Sequence, residues 1–129
     1  MRIIHPIARI LLGVIFVALG LNGFLLFFTP PMTAAAGQWQ AAITTSHFIW
    51  FTSAVQVIAG ALLLVNRYVV FAVFVLAAIL ANILAYHITM MPATIAPALL
   101  TLALWFAVAW PLRAYFSPLF VDKATIDAP

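Results

Sequence analysis

No cysteine occurs in this chain of 129 residues. That excludes disulfides, thiol relays, iron–sulfur ligation and haem attachment through sulfur. Charge is nearly as scarce: five Lys and Arg against two Asp and Glu, together 5% of the residues. A soluble domain carries roughly 25% because its surface must be wetted. The formal net charge of +3 and the pI of about 10.0 reflect a shortage of acids. The cations never cluster into a stripe able to track phosphates, so nucleic-acid binding is excluded. What fills the chain is apolar: 68% of residues are hydrophobic and the mean hydropathy is +1.27. Lipid is the solvent in which such an exterior carries no penalty.

Four apolar runs are long enough, or nearly so, to cross a ~30 Å hydrocarbon core, which takes about 20 helical residues. They cover 7–28, 47–65, 68–90 and 93–112. None alternates polar with apolar, which disfavours a barrel strand and favours helix. Prolines punctuate them. Pro30 and Pro31 stop the first, Pro92 and Pro97 bracket the start of the fourth, and Pro111 predicts a late kink. The run from Ile7 to Phe28 exceeds the 7–15 residues of a signal-peptide core, so it reads as a first span that is kept. The long loop, 29–46, carries no charge. Within it Trp39, Ala42 and Ile43 recur at helical spacing, so Ala34–Thr45 is expected to form a short helix lying on the membrane. The expected fold is a single all-α domain over 1–129: a four-helix membrane bundle, up-down-up-down.

The five cations set the orientation. Arg2 and Arg9 flank the first helix, Arg67 lies in the turn after the second, and Arg113 and Lys123 follow the fourth. In a four-span arrangement all five share one side, which the positive-inside rule makes cytoplasmic, with both termini there. The 29–46 loop and the connection around Met90–Pro97 then face outward. The tail 121–129 reads as short, polar and loose.

No Asp, Glu, Lys or Arg lies deep in a span, and ion coupling or proton relay usually requires one. Amides remain. Asn22 and Asn82 lie ~20 Å, and Gln56 ~14 Å, above the inner ends of their helices at ~1.5 Å per residue. All three could meet in the outer half of the bundle, facing its interior. Ser53, Gln56 and Gly60 form one small-polar stripe, and Ala78, Asn82, Ala85 and Thr89 form another. Two readings stand side by side. The stripes are packing seams with amides as interhelical glue, or they line an outward-open pocket for quinone or another apolar ligand, with Tyr86 closing it. His47 and His87 fall near the outer interface. His87 is about 140° around its helix from Asn82, so it leaves the amide face, and no metal site is expected.

The stretch Ala8–Gly13 through Gly20-Leu21-Asn22-Gly23-Phe24 and Phe27–Met32 resembles the opening of DoxX-like membrane proteins. Val55–Tyr68 resembles that family's second helix and turn, and Asn82–His87 its Asn-Ile-x-x-aromatic-His element. The likeness covers roughly residues 8 to 120. It implies four helices in a bacterial-type cytoplasmic membrane and, for some members, partnership in oxidoreductase assemblies. Two departures matter: Gln56 where members often carry Glu, and Gly23 where they often carry Lys. The neutral pair weakens proton or anion handling. The expectation is therefore a non-catalytic subunit or anchor, partnered by the bilayer and by other membrane subunits or copies of itself. The alternatives are a quinone- or lipid-binding protein and a small-molecule transporter acting as an oligomer.

Overall fold

The computed structural model describes residues 2–126. Their regular elements are all helical: α1 (Ile4–Leu25), α2 (Ala34–Thr45), α3 (Phe48–Leu64), α4 (Val69–Thr89), α5 (Ile95–Ala109) and α6 (Arg113–Phe116). Single 3-10 turns flank α5 and follow α6, so Pro92–Phe120 is one helical segment of 29 residues. Three segments, α1, α4 and Pro92–Phe120, are long and apolar enough to cross a membrane. A fourth arises if α2 and α3, which meet at 87°, are one broken span. A helix is present at 34–45 with the expected bounds. Of the tail, 127–129 lie outside the described residues.

The helix ends follow from local chemistry. α1 begins three residues earlier than its apolar run because Pro6 falls in the first turn, where backbone N–H groups have no helical acceptor to lose. It also ends earlier. Leu26 turns left-handed (φ 50°) while its N–H still bonds the Asn22 carbonyl at 2.7 Å, and a left-handed residue cannot continue the helix. Thr33 opens α2 as its N-cap, with Oγ1 accepting from the Ala36 N–H at 3.2 Å. α3 closes in a Schellman motif. Asn66 is left-handed (φ 56°), its N–H bonds Leu63 O at 3.3 Å, and the Arg67 N–H reaches back to Leu62 O at 3.0 Å. Pro111, with no N–H to give, converts the end of α5 into a 3-10 turn without stopping the chain's helical course.

α1 packs mainly on α3 and also on α5, while α4 packs on α3 and α5. The core draws on all four: Leu12 and Phe16 from α1, Leu63 from α3, Val73 and Leu76 from α4 and Val108 from α5 are fully buried. The α1–α3 contact is backbone-close. A Cβ on Gly13 would sit 3.0 Å from the Gly60 carbonyl, and one on Gly23 would overlap Ser53 Oγ. Gly13 thus meets the late part of α3 and Gly23 its early part, so the two helices run in opposite senses. Small residues permit that approach, which gives van der Waals contact where lipid removes any hydrophobic drive. Between α4 and α5, the Trp105 indole N–H donates to the Val73 carbonyl at 3.0 Å.

Two further bonds mark the ends of the bundle. At one, Arg9 Nη1 donates to the Leu63 carbonyl, so this guanidinium serves the exposed carbonyls and negative dipole end of α3 rather than only snorkelling outward. At the other, Thr33 Oγ1 donates to the Met90 carbonyl at 2.7 Å and ties the first loop to the α4–α5 connection.

Candidate functional site

The amides do not form a cluster. Asn22 turns to the loop: its Nδ2 donates to the Phe28 carbonyl at 3.0 Å and its Oδ1 accepts from the Phe28 N–H at 2.8 Å. This reciprocal pair closes the chain reversal after α1, where backbone groups have left the helix and need partners. Gln56 is half-buried on α3, and no hydrogen bond links it to Asn22, Asn82 or Tyr86 among the described residues.

Asn82 corrects the expectation that the amides face inward. It is exposed, as are Ala78, Ala85 and Thr89, so the whole stripe lies on the outer surface of α4. The reason is geometric. The core side of α4 is Ala72, Val73, Leu76 and Leu80. Positions 78 and 82 each follow a core position by two residues, which is about 200° of rotation. They therefore point directly away from the core. The Thr89 hydroxyl donates to its own helix at Ala85 O, 2.7 Å, whereas the Asn82 amide has no bonding partner among the described residues. By contrast the Ser53–Gly60 stripe does face a neighbour: both residues are buried against α1.

Tyr86 is half-buried, with its ring edge-on to His87 at 5.1 Å between centroids. The His87 Nδ1 lies 2.9 Å from the Ile83 carbonyl. A carbonyl only accepts, so Nδ1 carries the proton and Nε2 is the free nitrogen. His47 is exposed, left-handed (φ 63°) and edge-on to Trp50 at 4.5 Å. Among the described residues no three His, Asp or Glu side chains converge on a point that could hold a metal ion.

Two clefts are open to the surface, and none of Asn22, Gln56, Asn82, Tyr86, His47 or His87 lines either. One, which is inner on the four-span expectation, has a volume of about 420 Å³ and lies between the start of α4 (Tyr68, Phe71, Phe74) and the C-terminal segment (Tyr115, Phe116, Leu119). The other, about 470 Å³, is where Pro30–Thr33 meets Met91–Thr94 beside the Thr33 strap. Thr33, which pattern reading passed over, and Arg9, which it read only as a flanking cation, hold the bundle ends. Thr33 was legible in principle as a threonine immediately preceding a helical Ala-Ala-Ala run. Comparison with protein-family models, with curated proteins and with solved structures returns no match.

Proposed function

We propose that the chain is a non-catalytic, DoxX-like integral membrane subunit that anchors or completes a larger, redox-linked assembly. It sits in a bacterial-type cytoplasmic membrane as an up-down-up-down bundle with both termini on the cytoplasmic side. The opposite senses of α1 and α3 support that topology. So does the placing of Arg9 and Arg67 at one bundle end and the Thr33–Met90 strap at the other.

The observation that carries the subunit reading is Asn82. Its amide offers two donors and an acceptor on the outer face of α4, with no polar side chain before it on that helix. Facing hydrocarbon, such a group goes unsatisfied at a cost of several kcal/mol. A helix from another chain relieves that cost, and Ala78 and Ala85 beside it let a second backbone come close. The quinone-pocket alternative draws on amides that share no hydrogen bond among the described residues: Asn22 is spent on Phe28 and Asn82 is exposed.

Purification of the tagged full chain in a mild detergent tests the proposal. A companion chain at fixed stoichiometry is expected, and Asn82→Leu should cut its retention by about threefold to tenfold, the range of one interhelical polar contact. Recovery of nothing but free monomer or homo-oligomer overturns it, as does undiminished retention by the variant.

A further inference from the structure

The inner cleft has features that the subunit reading leaves unused. Its walls are two chain segments, the start of α4 and the helical stretch after Pro111. Its lining is aromatic and open: Tyr68, Phe71, Phe74 and Tyr115 are all more than half exposed. The wall from Tyr68 to Phe74 rises through six residue steps, ~9 Å at ~1.5 Å per residue. That is over half the depth of one leaflet, given a ~30 Å core. A volume of about 420 Å³ lies in the ~300–1,000 Å³ range of ligand clefts.

Two arginines stand next in sequence to the lining residues of this cleft, one for each wall. Arg67 immediately precedes Tyr68 on one wall, and Arg113 lies two residues before Tyr115 on the other. Both are exposed. Arg113 stacks over Trp110 at 4.8 Å and donates one N–H to its carbonyl at 2.8 Å, which orders the guanidinium and leaves other donors free. Lys123 follows on the same segment beside Asp122, the one acid among the described residues. Two phenol-bearing residues, Tyr68 and Tyr115, line the two walls themselves.

We propose that this cleft is a binding site for an anionic phospholipid, with one acyl chain laid against Phe71, Phe74 and Phe116 and the headgroup phosphate held by Arg67 and Arg113. The shape selects a chain and the two cations select a negative headgroup, as basic pockets between membrane helices do. The proposal rests on the membrane reading but not on any partner subunit. Failure to recover a companion chain leaves it standing, and its own failure leaves the subunit reading untouched.

Native mass spectrometry of the purified full chain, titrated separately with dioleoyl phosphatidylglycerol and dioleoyl phosphatidylcholine, tests it. Preferential retention of phosphatidylglycerol is expected. Arg67→Gln or Arg113→Gln should each weaken that lipid about fivefold, and the pair about 25-fold, the contribution of a basic residue near an anionic surface. Phosphatidylcholine binding should hardly change. Leu119→Trp, which fills the cleft from an exposed position and keeps both cations, should reduce both lipids. Three outcomes overturn the site: equal affinity for the two lipids in the wild type, a headgroup preference that survives the double substitution, or unaltered binding in Leu119→Trp. Displacement by glycerol phosphate as effective as by the intact lipid would identify a phosphate site instead, and overturns it too. Unchanged circular dichroism of each variant keeps these outcomes free of misfolding.

Discussion

Single residues in this protein are governed by what stands opposite them. Gly23 and Gly37 are both helical glycines, yet their surroundings differ. A Cβ on Gly23 would overlap Ser53 Oγ, whereas a Cβ on Gly37 meets nothing within 4 Å. Gly23→Ala is therefore expected to push α1 off α3 and destabilise by about 1–3 kcal/mol, as overpacking does. Gly37→Ala should stabilise α2 by up to about 1 kcal/mol through helix propensity. Thermal unfolding in one detergent reads both, and the opposite signs are the test. The amides show the limit of reading single residues from sequence. Depth along a helix follows from counting, so Asn22 and Asn82 were legible as lying toward the C-terminal ends of their helices. Direction does not follow in helices that are apolar on every side. Asn22 turned to Phe28 and Asn82 turned out to the surface, and no contrast between faces existed to say so.

At the scale of elements, punctuation was the most legible feature. The α2 bounds and the α3–α4 turn follow from an N-cap threonine and from Asn66, a residue tolerant of the left-handed region. Asn66→Gly should be neutral or mildly stabilising. Asn66→Val should lose about 1–2 kcal/mol, the penalty of forcing a side chain with a crowded Cβ into left-handed backbone, measured by the same unfolding assay. What stayed illegible was the extent of α1. Its apolar run continues to Phe28, but the left-handed Leu26 and the Asn22 clasp end the helix at Leu25. A bulky apolar residue announces no such turn. Likewise the chain meets Pro111 as a 3-10 turn and goes on in helical turns to Phe120, a continuation past proline that the sequence does not announce.

At the scale of the whole molecule, the few charges carry orientation. On the four-span reading Gln38, on α2, and Lys123, after the last helix, lie on opposite sides of the membrane, and both are exposed. The chain contains no cysteine, so Gln38→Cys and Lys123→Cys each create a unique thiol without further engineering. In intact cells a membrane-impermeant maleimide should label the first, and the second only after permeabilisation. The reverse pattern, or equal labelling, would remove the assigned topology. The right-angled junction of α2 and α3 has a mechanical consequence. By turning aside at Thr45, the chain leaves α3 with 17 residues, ~25 Å of helix, against a hydrocarbon core of ~30 Å. α1 and α4, at 22 and 21 residues, have length to spare and can lean to absorb it. On the four-span reading the flank bearing α3 falls short, and thinning of the bilayer, snorkelling of flanking residues or oligomerisation makes up the difference. That flank is then the one on which a thinner lipid environment or a partner helix is favoured.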